Sequence, residues 1–359
     1  MEAQYDYHKL FNPIPLLQDF RDRPAGVAPT GGGAEPSLAT AAIKPGDQRD
    51  GRLYLYDEHI VLAVNVALAT GRPLLVSGAS GGGKSSLAFN VARHERRRYY
   101  EFVVTSRTQA QDLMWSFDAV RRLADATTDR LVPGRTPQPV TEVPARPDAF
   151  ETYYPYIEPR ELWWIFDPES AARRGRPGGA PAGAAARDPA ADKYAPADAQ
   201  GAVLLIDEID KADPDVPNNL LVALGSLEFD VTDIEQRVQF QGDDRRWQER
   251  PLVIITTNQE RPLPKPFLRR CVILDIKDPK DDRLINIARS TFGTTEEALY
   301  ALVLQAIKNN KQASASGPIS IAEYLDTVRA AIELRQGKAP MPDSLLDDIL
   351  DKTVWKDRV

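Results

Sequence analysis

The sequence predicts an α/β fold built on a parallel sheet, followed by a small helical unit. Three short apolar runs carry the first half of that expectation: Leu74-Leu75-Val76-Ser77, Val203-Leu204-Leu205-Ile206 and Leu252-Val253-Ile254-Ile255. Continuous apolar runs of this length are the pattern of strands buried on both faces. Glycine and carboxylate follow the first two at once, two threonines and an amide follow the third, and ligands of open α/β sheets bind at that carboxyl edge. Beyond residue 280 the apolar spacing becomes helical.

The chain has 359 residues, enough for two or more cores. Twenty-nine prolines point to long irregular segments. A net charge of −7 disfavours a dedicated nucleic-acid binder. The single cysteine, Cys271, excludes an intrachain disulfide and a cysteine-paired metal site. His8, His59 and His94 lie too far apart in sequence to suggest a metal cluster. Residues 1–10 lack the apolar core of a signal peptide, and no apolar stretch approaches the roughly 20 residues that span a bilayer. The expectation is a cytoplasmic protein.

Taken in order, residues 1–50 are punctuated by proline and glycine and read as an N-terminal arm or linker. Residues 56–69 carry Ile60, Val61, Val64, Ala67 and Leu68 at helical spacing, and Gly71-Arg72-Pro73 ends that helix. The strand at 74–77 leads into a glycine-rich loop and a helix from Ser86. The basic run Arg93–Arg98 reads as solvated cations complementing a helix C-terminus. Residues 99–104 form a second strand. Residues 110–124 read as a helix with Leu113, Met114, Phe117 and Val120 on one face. Residues 126–200 contain a proline- and threonine-rich loop and an alanine-, glycine- and proline-rich stretch from 171, together read as a flexible insert. Within it, Leu162–Phe166 reads as a short helix packed on the sheet. Residues 229–250 suggest a β-hairpin with its tip near Gln241–Asp244.

The chemistry sits at the three strand ends. Gly78-Ala79-Ser80-Gly81-Gly82-Gly83-Lys84-Ser85 fits G-x-x-x-x-G-K-[ST], the phosphate-binding loop of nucleotide hydrolases. Gly78, Ser80, Gly81, Gly82 and Gly83 let backbone N–H groups converge on anionic oxygens, and the helix start at Ser86 adds a partial positive charge. Lys84 suits the β- and γ-phosphates of ATP, and the Ser85 hydroxyl suits Mg2+. Asp207 is placed to hold Mg2+ as well. Glu208 is placed to accept a proton from the attacking water. Asn258, closing Thr256-Thr257-Asn258, can orient that water or bond the γ-phosphate.

In that order, with the run Ile206-Asp207-Glu208-Ile209-Asp210-Lys211-Ala212, the chain resembles AAA+ ATPases, and within them the MoxR-like and dynein-related branch, over roughly residues 51–335. The resemblance implies a nucleotide-binding core over 51–277, with the insert at about 126–200, and a helical lid over 278–359. It implies a homo-oligomeric, hexameric ring in which an arginine reaches the neighbour's γ-phosphate. Arg270 takes that position, with Arg269 as rival; the aromatic residue that usually follows is replaced by Cys271. Ala322 falls where relatives carry a second-sensor arginine. The implied work is chaperone-like remodelling of a protein partner, including von Willebrand factor A-type partners. The alternatives are an ATP-dependent assembly switch and, disfavoured by charge, a nucleic-acid motor.

Overall fold

The computed structural model describes residues 7–13, 54–131, 153–176, 185–293, 296–314, 319–335 and 341–354. Most of the expected N-terminal arm, and residues 132–152 and 177–184 of the expected insert, lie outside them. The described chain runs α1 (Glu58–Thr70), β1 (Leu74–Gly78), α2 (Lys84–His94), β2 (Arg98–Val103), β3 (Trp115–Phe117), α3 (Ala119–Leu131), β4 (Ile157–Pro159), α4 (Glu161–Phe166) and α5 (Pro168–Ala172). It continues through β5 (Ala202–Asp207), α6 (Asp215–Ser226), β6 (Glu228–Val231), β7 (Gln236–Gln239), β8 (Leu252–Thr257), α7 (Lys265–Leu268) and β9 (Val272–Ile276). Four helices close it: α8 (Asp281–Phe292), α9 (Glu297–Ser314), α10 (Ile321–Leu334) and α11 (Asp343–Thr353).

The fold class is as expected. Five strands form a sheet in the order β2-β5-β8-β1-β9. β2 and β8 each pair parallel with β5, with Tyr99 opposite Val203 and Ile206 opposite Ile255. Every residue of β5 and β8 is buried, which is why both read as unbroken apolar runs.

The chain divides into two compact units, one of residues 1–66, 76–95 and 273–359, the other of 67–75 and 96–272. In the second, the sheet residues share a core with α4, α6 and the β6–β7 hairpin. Trp163 on α4 is fully buried, meets Phe229 edge-on at 6.2 Å, and donates from Nε1 to Ser170 Oγ at 3.3 Å. In the first, α8 to α11 pack around Leu284, Tyr300, Ile307, Tyr324 and Leu350. The Tyr324 hydroxyl is satisfied by the Tyr300 carbonyl at 3.0 Å. The same unit fixes part of the N-terminal segment. The buried Asn65 side chain accepts from the Leu10 and Phe11 amides at 2.6 and 2.9 Å and donates to the Phe11 carbonyl at 2.8 Å.

Several local expectations give way. Residues 110–124 are not one helix: a 3-10 turn at Ala110–Leu113 is followed by β3, which pairs antiparallel with β4, and only then by α3. Leu113, Met114 and Trp115 are buried by that arrangement, whereas Val120 is 80% exposed. The hairpin turns at Thr232–Glu235, with Glu235 in the left-handed region, rather than at Gln241–Asp244. The basic run is not uniformly solvated. Arg97 is buried, lies against the Trp247 ring, and donates to the Trp247 and Arg250 carbonyls at 2.7 and 2.8 Å. Arg96 pairs with Asp198 instead. In the stretch read as unable to bury a core, Ala186 and Ala190 are buried.

Trp163→Ala removes the largest fully buried side chain and should destabilise the protein by about 3–5 kcal/mol. A fall in the urea midpoint at unchanged m-value checks this.

Candidate functional site

The glycine-rich loop belongs to the first unit, and its conformation explains its composition. Gly78 has φ +143, and a Cβ there would stand 2.5 Å from the Ile276 carbonyl oxygen, so the chain leaves β1 where only glycine fits. Gly81 has φ +73, and its Cβ would stand 3.0 Å from Ser320. Gly83, at φ +86, is the N-cap of α2. It brings no capping side chain, and the first turn of α2 holds no acid. The amide groups and positive end of that helix are therefore left to an external anion. Lys84 is buried at the loop's base, its Nζ donating to the Gly78 and Ala79 carbonyls at 2.8 Å each. Ser85 and Ser86 are half-buried in the first turn.

One neighbour of this loop, and the residue that holds that neighbour's segment, were not legible in the sequence. Tyr54 lies 3.6 Å from where a Gly83 Cβ would sit, its ring tilted against Tyr56 at 4.8 Å, and burial raises its hydroxyl well above the usual tyrosine range. Arg283 of α8 holds this segment, donating to Asp57 Oδ2 at 2.7 Å and the Leu55 carbonyl at 2.9 Å. The start of α10 also meets the loop. Ser320 caps that helix in a reciprocal pair with Glu323, and the Ala322 N–H points to the Gly81 carbonyl at 3.4 Å. The start of α10 thus meets the loop through its backbone. Ala79, Ser80, Gly82, Ile276 and Ser320 line a cleft there.

The second unit holds the acids. Strand register sets Asp207 beside Thr256, whose hydroxyl donates to Asp207 Oδ1 at 2.6 Å and accepts the Glu208 N–H at 2.9 Å. Asp207 is 3% exposed, and Glu208 is only half-buried. Glu208 has φ +62, a left-handed conformation that costs a side-chain-bearing residue energy. Its carboxylate accepts from Asn258 Nδ2 at 3.2 Å and from Lys211 Nζ at 2.6 Å. Asp210, also buried, accepts the Asn258 and Glu260 backbone N–H groups at 3.3 and 2.9 Å, fixing the turn that presents Asn258.

Arg269 and Arg270 follow α7, which the buried Phe267 anchors. Both are exposed, and neither forms an ion pair among the described residues. Cys271 is buried, and desolvation pushes its thiol up to about 12, so it is a structural thiol rather than a reactive one.

The structure thus brings Asp207, Glu208 and Asn258 together, and separately the loop residues with Lys84. Among the described residues no group of three or more His, Cys, Asp or Glu could hold a metal alone. Mg2+ needs no such group: it takes one or two protein oxygens and completes its shell with phosphate and water. The Ser85 hydroxyl and Asp207 carboxylate are oxygen donors of the right kind. No helix among the described residues is long and apolar enough to cross a membrane.

A family model, the AAA domain of the dynein-related subfamily, matches residues 73–271. Solved structures with similar folds include two point mutants of RuvB from Thermotoga maritima. One is 13% identical with a TM-score of 0.41, covering 85% of this chain and 73% of that one. The other is 14% identical with a TM-score of 0.41, covering 83% and 70%. A third, described as the Thermotoga maritima RuvB Holliday junction branch migration motor, is 14% identical with a TM-score of 0.38, covering 82% and 66%. No curated protein sequence matches the chain.

Thr256→Val keeps the strand but leaves the Glu208 N–H without its acceptor and Asp207 Oδ1 without this donor. It should destabilise the protein by about 1–3 kcal/mol, whereas Thr256→Ser should lose far less. Chemical unfolding of the two variants measures the difference.

Proposed function

The chain belongs to the dynein-related subfamily of AAA domains, and from that premise we propose that it hydrolyses ATP with Mg2+ at the contact between copies of itself, to remodel a protein partner. Family and fold together support a nucleotide-hydrolysing activity. The observation that carries the reading is the pair of adjacent acids in unlike settings. Asp207 is buried and anchored by a hydroxyl, the environment of a cation ligand. Glu208 is half-open, turned outward by its left-handed backbone, and bonded to an amide that can also orient water.

In this reading the loop amides and Lys84 bind the triphosphate. Ser85 and Asp207 hold Mg2+, which when bound neutralises phosphate charge. Glu208 takes a proton from water as the water oxygen attacks the γ-phosphorus, Asn258 fixes that water, and the bond to the β–γ bridging oxygen breaks to leave ADP and phosphate. Arg270 reaches the γ-phosphate of a neighbouring copy in a ring of six, where it stabilises the charge of the transition state. Its exposure and lack of an ion pair among the described residues suit a group that acts on another copy. Arg269 is the rival.

The run Asp207–Ala212 supports a place in the MoxR-like branch, and with it chaperone-like work on a partner such as a von Willebrand factor A-type protein. A net charge of −7 argues against a polyanionic track. A second reading, an assembly switch that turnover only resets, draws on the Ala322 backbone contact with Gly81. A lid held to the loop without an arginine suits slow hydrolysis.

Glu208→Gln should bind ATP with wild-type affinity and lose about 10²- to 10⁴-fold in turnover; normal turnover removes the assigned role. Arg270→Ala should lose turnover while keeping nucleotide binding, and addition of an equal amount of Glu208→Gln protein should restore part of it by supplying an intact arginine to the Arg270→Ala site. No restoration in mixed assemblies counts against action between copies. Partner disassembly that needs turnover separates remodelling from a switch.

A further inference from the structure

Residues 7–13 take no part in the proposed chemistry, yet they are fastened to the unit that carries the phosphate loop. The Asn65 side chain holds their backbone, and its Nδ2 donates to the Phe11 and Val61 carbonyls at 2.8 Å each. Lys9 Nζ reaches Glu58 Oε2 at 3.0 Å. Phe11 is fully buried, and its ring meets Tyr56 at 5.2 Å and His94 at 4.9 Å, edge-on to both. Burial of one such ring contributes about 1.5–3 kcal/mol, enough to keep the segment seated.

Phe11 is the far end of a row of three rings along α2. Next to it, the Tyr56 hydroxyl donates to Asn90 of that helix. The Tyr54 ring is tilted against Tyr56 at 4.8 Å and stands 3.6 Å from where a Gly83 Cβ would sit. Phe11, Tyr56 and Tyr54 thus meet α2 at His94, Asn90 and Gly83. With 3.6 residues per turn, positions 83, 90 and 94 fall within about 40° of one another. They form one stripe, running from the last residue of α2 to its N-cap. Arg283 ties down the alternate residues, Leu55 and Asp57. All of these residues belong to the same compact unit.

We infer that Phe11 is a positioning residue of the nucleotide site, propping Tyr56 and Tyr54 along α2 so that the exit of the phosphate loop at Gly83 keeps its triphosphate-binding shape. This rests on the loop being the nucleotide site, as proposed above. Gly83 has φ +86 and no side chain to limit its backbone, and the Tyr54 ring supplies the wall it lacks. Without Phe11 the row loses its end support. The binding-competent loop is then populated only part of the time, and apparent affinity falls by that fraction. Phe11 touches neither substrate nor metal; it acts through the two tyrosines.

The test is binding of ADP with Mg2+ by the full-length protein, with steady-state ATP hydrolysis alongside. Phe11→Ala should raise the ADP Kd and the KM for ATP about three- to tenfold, as for a loop seated a third to a tenth of the time, with kcat unchanged. Phe11→Leu, which refills most of the pocket, should bind more tightly than Phe11→Ala. Asn65→Ser loosens the Leu10–Phe11 backbone but leaves every ring in place. It should show a smaller rise of the same kind, and it carries the test if Phe11→Ala does not fold. A purely structural Phe11 would instead lower kcat and the number of binding sites, through partial unfolding, at wild-type KM. That pattern, or wild-type Kd and KM in the folded variants, overturns the positioning role. Lys84→Ala is the control for the underlying reading and should abolish ADP binding. If Lys84→Ala binds ADP as the wild type does, the loop is not the nucleotide site and both proposals fall. If it loses binding while the Phe11 and Asn65 variants keep theirs, only the role of Phe11 falls.

Discussion

One hydroxyl organises the acidic half of the candidate site. Strands β5 and β8 are buried on both faces and pair with Ile206 opposite Ile255, so the next residues along, Asp207 and Thr256, emerge side by side. Thr256 then does two jobs with one oxygen, donating to Asp207 and accepting from the Glu208 amide. The first contact compensates a carboxylate for burial. The second fixes the strand exit that throws Glu208 into its left-handed turn. Slippage of one strand against the other by one residue would put Asp207 and Thr256 on opposite faces. The apolar packing of the sheet is what holds this chemistry in register.

The phosphate-loop half depends on steric economy rather than on charge. Gly78 escapes a carbonyl of β9, Gly81 admits the first turn of α10, and Gly83 starts α2 without a side chain of its own. Only the first and last of these glycines belong to the general motif. Gly81 occupies a variable position, and its requirement here comes from Ser320 and Ala322 more than two hundred residues away. The helical C-terminal unit thus leaves its mark on the composition of the loop.

Much of this was legible in the sequence, for identifiable reasons. Doubly buried parallel strands must be continuously apolar, so β1, β5 and β8 announced themselves, and the loop motif is specific because its geometry tolerates few residues. The helical character of the chain beyond residue 280 followed from periodicity. Residues 110–124 failed because helical spacing of Leu113, Met114 and Phe117 is also produced by a turn and a short strand whose partner lies 40 residues on, at β4. The clamp on Glu208 was missed although Asp210 and Lys211 stand inside the run Ile206–Ala212. A carboxylate and an ammonium within four residues of each other usually mean a solvated turn, and only the fold shows Asp210 buried beneath the Asn258 turn. Tyr54 and Arg283 left no sequence signal, since the approach of Tyr54 to Gly83 and the bonds of Arg283 to Leu55 and Asp57 join distant segments.

The buried Cys271 has a practical consequence. It is the chain's sole cysteine, it is 8% exposed, and its thiol is kept protonated at neutral pH by desolvation. Maleimide chemistry depends on the thiolate and on access. A fluorophore or spin label can therefore be directed to one introduced surface cysteine without first removing the native residue, leaving the packing behind Arg270 undisturbed while distances are followed through the nucleotide cycle.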